Sequence, residues 1–116
     1  MPLTMSVSYG DNEPGVDFSY ATRVNTEFQK AGVRGTSIMF SSGDGGVAGG
    51  QSSPCNTFVP TFPAGSPWVT AVGGTTKSNP EVCASFSSGG FSNYWPRPSY
   101  QDAAVKGYFN SGKVQN

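Results

Sequence analysis

A lone carboxyl group stands in the turn Ser42-Gly43-Asp44-Gly45-Gly46, directly behind the apolar run Ser37-Ile38-Met39-Phe40. A run that short and apolar, bounded by glycines, reads as a buried strand, and the carboxyl end of such a strand is where α/β proteins place ligand-handling groups. Two roles suit an aspartate there. Its side chain can bond nearby backbone N–H groups and form the turn, or it can act as a functional acid whose ionisation is set by the site. The chain contains no histidine, so its own residues cannot assemble a Ser-His-Asp or Cys-His centre, and acid–base work falls to carboxyl groups. Ser41 and Ser42 precede the turn, yet no carboxyl is patterned against them, and serines flanking a glycine turn are ordinary capping residues.

The elements that must position Asp44 follow from periodicity. Leu3 to Tyr9 reads as a strand ended by Gly10, and Asp11-Asn12-Glu13-Pro14-Gly15 is a turn cluster. From about Phe18 to Ala31 the residues Tyr20, Val24, Phe28 and Ala31 recur at helical spacing, with Asp17 or Ser19 to cap the start and Gly32, near Lys30 and Arg34, to end it. Arg23, Glu27 and Lys30 then form the solvated face. Strand, helix and the Ser37 to Ser41 strand make one right-handed crossover and a parallel pair, so the fold class is α/β. Gly45 to Thr57 reads as a long irregular loop, and Trp68 to Val72 as a third strand. Lys77 to Pro98 is turn-rich, and a helix start or a fraying end begins at Tyr100.

Composition narrows the function classes. Seven basic and seven acidic residues cancel, which gives no reason to expect nucleic acid or a membrane surface as a partner. No apolar run approaches the roughly 20 residues of a membrane span, and Met1-Pro2-Leu3-Thr4 lacks the basic start and apolar core of a targeting signal. Cys55 and Cys83 lie in Ser/Pro/Asn-rich sequence rather than in a C-x-x-C pair. That argues against a metal site and points to a single Cys55–Cys83 disulfide, two free thiols being the other reading. A bridge would contribute about 3–4 kcal/mol less any strain.

Several segments occur in one order: Ser6-Val7-Ser8-Tyr9-Gly10-Asp11, Arg23-Val24-Asn25-Thr26-Glu27, the Ser42 to Gly46 turn, the block Pro60 to Thr75, and Gly89-Gly90-Phe91-Ser92-Asn93 followed by Pro96-Arg97-Pro98-Ser99-Tyr100-Gln101. In that order they resemble the serine-carboxyl peptidases, the sedolisin and tripeptidyl peptidase family. The resemblance runs from about Leu3 to Val105, and the Pro60 to Thr75 block is its most specific part. It implies a partial subtilisin-like fold with a mostly parallel sheet, a crossover helix over about 18–31 and long Gly-rich loops, residues 1–116 being a central portion of that family's catalytic domain.

The resemblance also implies chemistry. Peptide hydrolysis through an acyl-enzyme needs a nucleophile, a base and donors for the oxyanion. The family supplies these as a serine in S-G-T-S-x-S-x-P, a glutamate backed by an aspartate, and an aspartic acid in a G-D turn. Asp44 alone matches, as the oxyanion acid. A carboxyl group donates only while protonated, so acid-optimal activity is implied. Ser8, Tyr9 and Gly10, with Gly43 and Gly45, match the substrate cleft, where an extended peptide pairs with exposed backbone; a simple strand-to-turn exit is the other reading of Ser8 to Gly10. Lacking nucleophile and base, the chain alone is expected to be inactive. The partners implied are a peptide or protein substrate and the remainder of the catalytic domain. Calcium is implied for the full-length protein, in a segment beyond Asn116, and the setting implied is secreted or lysosomal/vacuolar. The alternative is a non-catalytic peptide-binding or structural module on the same fold.

Overall fold

The computed structural model describes residues 2–50 and 56–113. A three-stranded parallel sheet, in the order β1-β3-β5, carries the architecture: β1 is Thr4–Val7, β3 Ser37–Ser41 and β5 Thr70–Val72. The register pairs Val7 with Phe40 and Ser41 with Val72, so the carboxyl ends of all three strands lie side by side. The helix α1, Phe18–Val33, makes the crossover from β1 to β3. Strands expected over Leu3 to Tyr9 and Trp68 to Val72 are shorter than their apolar patterns, because pairing with β3 ends at Val7 and begins at Thr70.

Asp17 caps α1, its carboxylate accepting from the Tyr20 N–H at 3.0 Å and the Ser19 hydroxyl at 2.5 Å. Those two donors hold its pKa below the ordinary aspartate value. At the other end Gly35, with φ +87°, lets the Thr36 N–H reach the Ala31 carbonyl at 3.0 Å and its own N–H reach the Gly32 carbonyl at 2.9 Å. Gly32, expected to end the helix, therefore stays inside it. Ala21 is completely buried, while Tyr20, expected on the inner face, is 60% exposed. Val24 and Phe28 face inward as expected, with the Phe28 ring 5.4 Å from that of Phe40. Glu27 and Lys30 pair in solvent at 2.7 Å, an exposed bond of little energetic weight.

Two short antiparallel pairs escape sequence periodicity, since two residues cannot display alternation. One joins β2 (Asp11–Asn12) to β4 (Thr61–Phe62); the other joins β6 (Thr75–Thr76) to β7 (Val82–Cys83). The chain continues through a 3₁₀ turn at Ser99–Gln101 into α2, Asp102–Asn110. Ile38 and Phe40 of β3 and Phe62 of β4 are buried, whereas β1 and β5 are open edges with Met5 and Val72 exposed.

The segments singled out along the sequence are tied together here. Ser66 donates its hydroxyl to Asn25 Oδ1, joining α1 to the Pro60 to Thr75 block. The Tyr94 hydroxyl donates to the Val16 carbonyl at 2.5 Å, and its ring meets Phe18 edge-on at 5.2 Å. Glu13, read from sequence as part of a turn, is wholly buried. Its carboxylate accepts from the Ser92 hydroxyl at 2.5 Å and the Asn93 N–H at 2.7 Å, which offsets the cost of burying a carboxyl group.

Candidate functional site

Leaving β3, the chain reverses over residues 42 to 45 under close restraint. Buried Ser42 donates its N–H to the Val72 carbonyl at 3.0 Å and accepts at its own carbonyl from Thr61 Oγ1 at 2.9 Å. Gly43 takes φ +108°, and a Cβ there would lie 2.9 Å from Ser88 Oγ and 3.1 Å from Thr61 Cγ2. Only glycine meets both demands. The Gly45 N–H donates to the Gly49 carbonyl at 3.0 Å and to Ser88 Oγ at 3.2 Å. Asp44 is left exposed at the apex, between two restrained neighbours.

Ser8, Tyr9 and Gly10 leave β1 beside this turn and line with Gly43 and Asp44 a cleft of about 250 Å³. Tyr9 stands 80% exposed. Gly10 has a packing reason as well, since a Cβ there would come 2.8 Å from the Phe62 carbonyl oxygen. Asp11 adds a second carboxyl group, and Ser41, Gly49, Gly50 and Thr61 complete the wall. A neighbouring hollow of about 420 Å³ shares Ser8, Gly43 and Asp44 and runs past Met39 to Gly73 and Gly74, along the carboxyl ends of β3 and β5. The cleft therefore occupies the place that open α/β sheets give to ligands.

Gly45 does not line that cleft. It backs onto a separate hollow with Val47, Phe58, Phe91 and Tyr108, and a Cβ there would lie 2.1 Å from the Gly50 carbonyl oxygen, so its lack of a side chain serves packing. The Ser42 hydroxyl lies 3.4 Å from Ser87 Oγ, another hydroxyl and not a base. The Gly45 to Thr57 segment, expected to be irregular, contains a 3₁₀ turn at Gly46–Ala48 with Ala48 buried; Asn12 Oδ1 accepts from the Gly50 N–H at 2.5 Å. Thr61, Ser88 and Asn12 were not legible as site residues. Of these, Thr61 had a signal in its place in the Pro60 to Thr75 block.

The Cys55 to Cys83 pairing involves Cys55, which lies outside the described residues; Cys83 is exposed. Among the described residues no three His, Cys, Asp or Glu side chains are grouped to hold a metal ion. Nor is any helix among them long and apolar enough to cross a membrane.

The parallel sheet, its crossover helix and the acid-bearing glycine turn at the strand ends define a partial α/β fold of the subtilisin type. Its relatives agree. The chain is 48% identical to tripeptidyl-peptidase 1 of Bos taurus and 47% identical to that of Homo sapiens, over 96% of its length in each case. It matches a Pseudomonas sedolisin, a serine-carboxyl proteinase solved with two molecules of pseudo-iodotyrostatin, with a TM-score of 0.72 and 29% identity over 90% of this chain and 34% of that one. No family model matches the chain. It belongs to the serine-carboxyl peptidase family, and it spans about a fifth (21%) of the length of the tripeptidyl-peptidase relatives it matches.

Proposed function

We propose that residues 1–116 form a central portion of the catalytic domain of an acid-acting serine-carboxyl peptidase, tripeptidyl peptidase or endopeptidase in type. Asp44 donates from its protonated carboxyl group to the oxyanion of the tetrahedral intermediate, while Ser8, Tyr9, Gly10 and Gly43 line the groove for an extended peptide. The observation that carries this reading is that one cleft, at the carboxyl ends of the parallel strands, holds both the exposed Asp44 and the end of β1. Nucleophile and base come from elsewhere in the domain. The open edges of β1 and β5, with Met5 and Val72 exposed, suit that larger partner. Activity in acid suits a lysosomal, vacuolar or secreted setting.

The test is substitution of Asp44 in the full-length protein. Asp44→Ala lowers turnover at acidic pH by about 100-fold or more with little change in KM, because an oxyanion donor acts in the transition state. Asp44→Asn keeps a donor of similar shape and retains part of the activity. Unchanged turnover in a stably folded Asp44→Ala enzyme refutes the assignment.

A further inference from the structure

We infer that Ser88 is a positioning residue for Asp44, a role that rests on reading Asp44 as the oxyanion donor. Ser88 is buried and grips the residues on both sides of Asp44. Its N–H donates to the Gly43 carbonyl at 2.9 Å, and its Oγ accepts from the Gly45 N–H at 3.2 Å. The same hydroxyl spends its one proton on the Gly49 carbonyl at 3.0 Å, the carbonyl that also receives the Gly45 N–H. Ser88 Oγ is thus both donor and acceptor in a closed set of bonds that fixes the backbone entering and leaving Asp44. Gly43 packs against this hydroxyl so closely that no Cβ fits between them. Asp44 itself stands exposed at the apex of that backbone. An oxyanion donor must sit within a few tenths of an ångström of its target, and a shift of about 1 Å can cost about 100-fold in rate. Ser88→Ala removes both side-chain bonds and leaves the backbone bond to Gly43 in place.

The experiment is a double-mutant cycle in the full-length protein, assayed at acidic pH on an internally quenched peptide with a free N-terminus, which reports both modes of cleavage. Ser88→Ala is expected to lower kcat about 10- to 100-fold with KM little changed. In an Asp44→Ala background the same substitution is expected to change kcat by less than about twofold, since coupled sites are not additive. An equal loss in both backgrounds, or no loss in either, overturns the inference. A loss with Asp44→Ala but none with Ser88→Ala removes this inference and leaves the role of Asp44 standing; no loss with Asp44→Ala removes both. If Ser88→Ala does not fold, Ser88→Cys keeps the shape while weakening both bonds, and its kcat must fall between wild type and Asp44→Ala.

Discussion

Replacing Gly43 by alanine tests whether the turn is held in one geometry. The backbone there has φ +108°, and the added methyl would lie 2.9 Å from Ser88 Oγ and 3.1 Å from Thr61 Cγ2. Holding a non-glycine residue in such a region costs about 1–3 kcal/mol. Forcing a methyl into the packed space costs about 1–3 kcal/mol more, while the lower entropy of the unfolded alanine chain returns about 0.4–1 kcal/mol. The net expectation is a loss of about 1–6 kcal/mol, a large fraction of an ordinary domain's stability. Urea unfolding followed by tryptophan fluorescence measures it as a fall in midpoint at unchanged slope. Gly32 is the control: it lies within α1 with nothing within 4 Å of its missing Cβ. Gly32→Ala should therefore raise stability by about 0.5–1 kcal/mol. A loss below about 1 kcal/mol for Gly43→Ala, or a gain like that expected of Gly32→Ala, refutes the reasoning, because strain of that kind cannot be so small.

Two further substitutions probe the scaffold. Glu13→Gln leaves the Ser92 hydroxyl or the Asn93 N–H facing an amide NH₂ in a fully buried site, and should cost about 1–3 kcal/mol in urea unfolding. Asp17→Ala removes the α1 cap. Because the Ser19 hydroxyl and Tyr20 N–H lower the Asp17 pKa, its stabilisation is fully present above the ordinary aspartate range and is lost as pH falls through the lowered value. The difference in melting temperature between wild type and Asp17→Ala should therefore be full at neutral pH and shrink in strong acid.

The sequence by itself determined the crossover and the place of the acid. Asp17, the 3.6-residue recurrence of Val24 and Phe28, and the apolar run of β3 are local signals, each written within one or two turns of chain, and the structure repeats them with boundaries shifted by a few residues. Segment order carried the family for the same reason, since it needs no knowledge of contacts. Tertiary structure alone decided the rest. Tyr20 and Ala21 both fit the helical spacing, and packing buried the smaller. Gly43 and Gly45 flank Asp44 symmetrically in the sequence, yet one lines the cleft and the other backs onto a different hollow. Glu13 and Ser92 meet across 79 residues, and Ser88 reaches the Asp44 turn across 43. Such bonds leave no periodicity to read: nothing within a turn of Glu13 marks it as buried, and only the donors that Ser92 and Asn93 bring from distant chain satisfy its carboxyl group there.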